Sequence, residues 1–169
     1  MVTLGENDEY YLLSGAAGVY KFLGALKCIL RDGWGIYVEG VEDKETSDLL
    51  ESAKKRELLL KICRDCEYPR RNVFVVEADR NTVEQLRVLS KKVFSVDFIQ
   101  SLVVFDDSRV LIEAYSLGCG DVVLSKYLGE ETMEQLRVES GGMVTRYDTK
   151  ESASCQNTSS RSSEQHEGR

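Results

Sequence analysis

Two cysteines three positions apart, Cys63 and Cys66 in the run CRDC, form the sharpest chemical pattern in the chain. Such a spacing lets two sulfurs reach one centre, so a CxxC pair can hold zinc or cycle as a dithiol. A structural zinc site asks for four ligands, and the other cysteines, Cys28, Cys119 and Cys155, are scattered singly. A thioredoxin-like site would place the pair at a strand-to-helix turn. Here a loop, EYPRRN, follows it and leads into a strand. Two ordinary thiols near a connector is the preferred reading, and a redox or zinc role is the weaker alternative.

The single histidine, His166, lies in a polar C-terminal stretch. A base needs a fixed position and an orienting partner, so hydrolysis by a Ser-His or Cys-His pair is disfavoured.

Carboxylates offer a second possibility. If the first three strands run parallel, their C-terminal ends share one edge, the usual place for a ligand in an open α/β sheet. That edge would gather Ser14 and Gly15, Glu39 and Gly40, and Glu77 with Asp79. Three carboxylates beside a glycine turn could hold magnesium or a cationic group, and the turn's amides could meet an anion. The turn SGAAG, residues 14–18, lacks the Lys-Ser or Lys-Thr of a P-loop and the third glycine of a dinucleotide fingerprint. A tight turn that requires small residues is the preferred reading. The adjacent Asp106 and Asp107 read as turn formers.

Charge is strongly segregated. The net charge is −7, yet residues 54–92 carry 11 basic against 6 acidic side chains. Within that basic middle, Arg70 and Arg71 beside Tyr68 could meet a phosphate, an acidic protein surface or the acidic parts of a second copy. Overall acidity disfavours nucleic acid and anionic lipid at long range.

These residues must be positioned by a fold. The chain has 169 residues, 42% apolar and 30% charged, the balance of a soluble globular domain. No apolar run reaches the length of a membrane span. The acidic opening, MVTLGENDEY, differs from a signal peptide, and the odd, irregular set of 5 cysteines fits a reducing compartment, so the cytoplasm is the expected location.

A strand is expected over residues 10–14 and a helix over 16–32, whose Val19, Phe22, Leu23, Leu26, Ile29 and Leu30 form one apolar stripe. A second strand, WGIYV, precedes the helical DKETSDLLESAKKRE, acidic first and basic last. LLLKI, residues 58–62, suits either element. NVFVVEA is the most strand-like segment.

TVEQLRV, residues 82–88, returns as TMEQLRV, residues 132–138. In both, a threonine three residues before a glutamine has the form of a capping box. The likeness fades beyond this phrase, which marks it as helix-start grammar. Between the copies, QSLVVF, VLIEAYSL and DVVLSKYL are apolar runs joined by short turns, an antiparallel meander.

The expectation is an α+β domain over residues 1–144: a βαβαβα unit, a three-strand antiparallel meander and a closing helix, with helices packed on a mixed sheet. Residues 145–169 carry too few large apolar side chains to offset the entropy of ordering, and read as a disordered polar tail. Functionally, the expectation is a non-catalytic module, without cofactor or metal, acting on a protein partner or a second copy. Tyr115 and Tyr127 of the meander, with Arg70 and Arg71, are the candidate contact residues. The alternative is a small magnesium-dependent enzyme or anion-binding domain built on Ser14, Gly15, Glu39, Glu77 and Asp79.

Overall fold

A computed structural model describes residues 9–16, 18–55, 57–58, 72–92, 98–107, 109–117 and 120–147. The elements follow in the order β1 (Tyr10–Ser14), α1 (Gly18–Ile29), β2 (Trp34–Glu39), α2 (Lys44–Ala53), β3 (Val73–Glu77), α3 (Arg80–Leu89), β4 (Ser101–Asp106), β5 (Arg109–Tyr115), β6 (Val122–Ser125), α4 (Glu130–Ser140) and β7 (Met143–Tyr147). A single 3-10 turn, Lys126–Leu128, joins β6 to α4. The fold is α+β.

The seven strands form one sheet in the order β3-β2-β4-β5-β6-β1-β7. Every pair in it is antiparallel. This corrects the expected mixed sheet. The meander β4-β5-β6 is present as read, but the helices after β1 and β2 are not parallel crossovers between neighbours. β1 joins the sheet beyond β6, with three strands between it and β2.

The turn before α1 explains its glycines. Gly15 and Gly18 have φ of +70° and +79°, and the amide of Gly18 closes back on the carbonyl of Ala16 at 2.7 Å. Side chains disfavour that backbone region, so small residues there serve the turn. The α1 stripe Val19, Phe22, Leu23, Leu26, Ile29 and Leu30 is buried as expected.

Helices α3 and α4 flank α1, both antiparallel to it. Glu84, early in α3, pairs with Lys27 late in α1 at 2.7 Å, and Arg87 lies over the ring of Tyr20, near the start of α1. On the other side Arg31, just past α1, donates to Thr132 in the first turn of α4. The repeated phrase occupies the same helical positions in both helices. Leu86 and Leu136 are fully buried, Val88 and Val138 are exposed at 48% and 60%, and Glu84–Arg87 and Glu134–Arg137 pair at 2.5 and 2.6 Å.

Neither copy forms the expected capping box. The helices start three residues earlier. Asp79 caps α3, its carboxylate accepting from the amides of Asn81 and Thr82, and Thr82 donates its hydroxyl to Asp79 Oδ2 at 2.5 Å. Gly129, with φ +81°, precedes α4 without a side-chain cap. Asp43 caps α2 by accepting from the amide and hydroxyl of Thr46.

Helices α1, α3 and α4 contribute Leu26, Leu86 and Leu136 to the main core, together with Ile36, Val38, Leu102, Val104 and Leu124 from the sheet. On the other face Val75 and Phe105 form a second cluster with Tyr37 and Leu58. Leu58 is the one described residue of the LLLKI run, and the remainder lies outside the described residues.

Strand β7 extends to Tyr147 and pairs with β1 along its whole length. Thr145, Arg146 and Tyr147 therefore stand in the sheet, inside the stretch whose composition reads as tail. Residues 148–169, with the rest of that stretch, lie outside the described residues.

Candidate functional site

Four polar side chains share two neighbouring rows on the sheet face opposite α1. Tyr37 and Glu39 project from β2, and Glu113 and Tyr115 from β5. β4 lies between and aligns them: Tyr37, Val103 and Glu113 share one row, and Glu39, Ser101 and Tyr115 the next. Directly opposed residues share a face, so the carboxylates occupy diagonal corners of a square whose backbones are about 10 Å apart across β4. Tyr37 donates to Glu39 Oε2 at 2.7 Å, and Tyr115 donates to Glu113 Oε1. Glu113 is only 4% exposed.

The phenol of Tyr115 is pushed well above its ordinary range. Burial is the largest cause, followed by its bond to Glu113 and the charges of Glu113 and Glu39. It therefore stays protonated at neutral pH, a donor that satisfies a buried carboxylate. A group held in this state is poorly suited to act as base or nucleophile.

The strand-end cluster does not assemble. Antiparallel pairing sets Glu39 opposite Val73 and Glu77 opposite Gly35, so the two carboxylates lie four residues apart along the strands, about 13 Å. Ser14 ends β1, four strand spacings from β2, about 19 Å. Gly15 lies in the turn after it. Asp79 is the α3 cap, where burial raises its carboxyl while the bonds from Thr82 and Asn81 outweigh that and hold it low. Among the described residues no group of three His, Cys, Asp or Glu is placed to hold a metal ion.

The interaction candidates also separate. Tyr115 is half-buried in the Tyr–Glu square. Tyr127 stands in the 3-10 turn, 49% exposed, with Arg109 and Lys126 at 5.5 and 5.4 Å from its ring. Arg70 and Arg71, like Cys63 and Cys66, lie outside the described residues. Cys28 is exposed on α1.

A feature absent from the sequence reading lies at the end of the sheet. The amide of Lys126 donates to the carbonyl of Glu9 at 3.4 Å. Successive residues of an antiparallel strand aim their N–H and C=O at opposite edges. Glu9, Tyr11 and Leu13 thus face β6, and Tyr10, Leu12 and Ser14 face β7. Their β7 partners Tyr147, Thr145 and Met143 face back to β1, which leaves the backbone groups of Val144 and Arg146 pointing away from the sheet.

The same alternation, carried through the remaining strand pairs, aims Val75 outward from β3 at the far edge. There the amide of Lys55 does bond the carbonyl of Val75, at 2.8 Å, and Lys54 bridges Val76. The chain after α2 thus closes the β3 edge, while no described residue closes the β7 edge. Beside that open edge Met143 is 65% exposed, and Leu12 and Val123 on neighbouring strands are half-buried. Val144 is folded inward against the main core.

No helix among the described residues is long and apolar enough to cross a membrane. Comparison of the chain with protein-family models, with curated proteins and with solved structures finds no match.

Proposed function

We propose that the chain is a non-catalytic protein-binding module that recruits an extended protein segment by adding it as a strand beside β7. The observation that supports this reading is the asymmetry of the two sheet edges. One is closed by Lys54 and Lys55, and the other presents the outward amides and carbonyls of Val144 and Arg146 next to the exposed side chain of Met143. An unpaired edge is a template for a further strand: main-chain hydrogen bonds supply affinity, and the flanking side chains supply selectivity. The Tyr–Glu square satisfies its own polar groups and so favours a structural role for that face. The acidic balance of the chain disfavours nucleic acid. Its odd and irregularly spaced set of 5 cysteines favours a reducing compartment such as the cytoplasm.

Replacing Arg146 by proline tests the reading. Proline removes one outward N–H, and the edge position spares the ladder to β1. The ion pair of Arg146 with Glu9 is exposed on both sides, so its loss matters little to stability. A protein retained from cell extract by the immobilised wild-type chain, able to rebind when purified, and lost with Arg146→Pro, supports strand addition. Equal retention by both chains contradicts it.

A further inference from the structure

Resting on that reading, we infer that the segment added beside β7 is β7 of a second copy, so that two chains join edge to edge in one continuous sheet about a two-fold axis through Thr145. The five residues Met143–Tyr147 are self-complementary when run antiparallel to themselves. Full overlap sets Thr145 opposite Thr145, Val144 opposite Arg146 and Met143 opposite Tyr147. Because the backbone groups of Val144 and Arg146 point outward, each Val144–Arg146 pair exchanges both N–H···O bonds, and the two-fold gives two such pairs.

Charge selects the register. Arg146 meets Val144, so no like charges are opposed, and its guanidinium already has a carboxylate in Glu9 of its own chain at 2.8 Å. A hetero-partner is not needed to supply one. Shifting the axis to Arg146 would oppose two guanidinium groups and shorten the overlap. Shifting it to Val144 would set Gly141 against the strand, and Gly141 is the left-handed cap of α4, outside β7. On the face away from the helices the join extends the row Val123, Leu12, Thr145 into its symmetric copy and shields part of the exposed Met143.

The closest approach falls at the axis. Thr145 and its copy form a non-hydrogen-bonded pair, with Cα atoms about 4.5 Å apart, within the range a disulfide spans. Thr145 is exposed in one chain, so substitutions there leave the fold intact, which cooperative unfolding verifies.

The test uses the full chain. Sedimentation across a concentration series is expected to give a reversible dimer. Thr145→Lys should weaken it at least about fivefold by opposing two ammonium groups. Thr145→Cys under mild oxidation should give a disulfide between the two introduced thiols, identified by peptide mass. Met143→Cys, whose counterpart is Tyr147, should not link to itself, and the wild type reports any background from native cysteines. A chain that stays monomeric at every concentration overturns the inference, as does a dimer that Thr145→Cys leaves unlinked and Thr145→Lys leaves unweakened. A monomer that still captures a protein lost with Arg146→Pro overturns the second copy alone and leaves strand addition standing.

Discussion

Arg31 donates to the Thr132 hydroxyl at 2.8 Å across 101 positions of chain, and this bond ties the exit of α1 to the first turn of α4. Thr82, the same letter in the other copy of the phrase, instead donates to Asp79, its own helix cap. One residue type thus serves two local duties. Thr132→Val is expected to cost about 1 kcal/mol, since the exposed guanidinium regains water. Asp79→Ala should cost a similar amount, about 1 kcal/mol, by uncapping α3. Denaturant unfolding of each variant checks both values.

The phrase also makes a paired prediction about packing. Leu86→Ala and Leu136→Ala each remove a fully buried side chain and should each destabilise by about 3 kcal/mol. Val88→Ser and Val138→Ser, at exposed positions of the same two helices, should stay within about 0.5 kcal/mol of wild type. Chemical denaturation of the four variants reads this directly.

That pairing shows where the sequence was readable. A helix stripe and a repeated helix phrase are local patterns: α1 buries the residues its spacing assigns, and α3 and α4 each bury the leucine of the repeated phrase. The helix starts differ from the expectation because Thr82 and Thr132 resemble caps, whereas the capping positions three residues earlier hold an aspartate and a glycine. Strand pairing is non-local. Nothing in YYLLS says that it will lie beside DVVLS rather than WGIYV, so the shared carboxylate edge dissolved once every neighbour proved antiparallel. MVTRY is short, polar at its end and continuous with the tail composition, which hid the edge strand on which the functional reading now depends. Glu39 and Tyr115 stand out in the sequence for different roles, and only the register places them in one row across Ser101.

Gly35 faces the ring of Phe105 on the second sheet face. A Cβ built at Gly35 would stand 2.1 Å from the Phe105 ring, and that ring is 1% exposed, without room to retreat. Gly35→Ala should therefore destabilise by about 3 kcal/mol through overpacking. Adding Phe105→Leu to Gly35→Ala should recover part of this loss relative to Phe105→Leu alone. Unfolding of the two single variants and the double variant measures the coupling.

Glu84 carries a pH prediction. Its carboxyl is held down to about 2, chiefly by the bond from Arg87 and then by that from Lys27. A depressed folded-state value means that its stabilising contribution is present above the ordinary glutamate value and is lost as pH falls from 4.5 toward about 2. Glu84→Gln should be less stable than wild type at neutral pH, and the difference should vanish near the acid end of that window. Unfolding midpoints measured across the window test the sign.

Amide hydrogen exchange followed against protein concentration reads, residue by residue, which backbone groups of β7 face β1 and which face away from the sheet. The amide of Thr145, facing β1, should be protected at every concentration. The amides of Val144 and Arg146 should exchange rapidly in dilute solution and gain protection as concentration rises and the edge is covered. Rapid exchange at Thr145, or protection of Val144 and Arg146 that persists at the lowest concentration, would contradict the account.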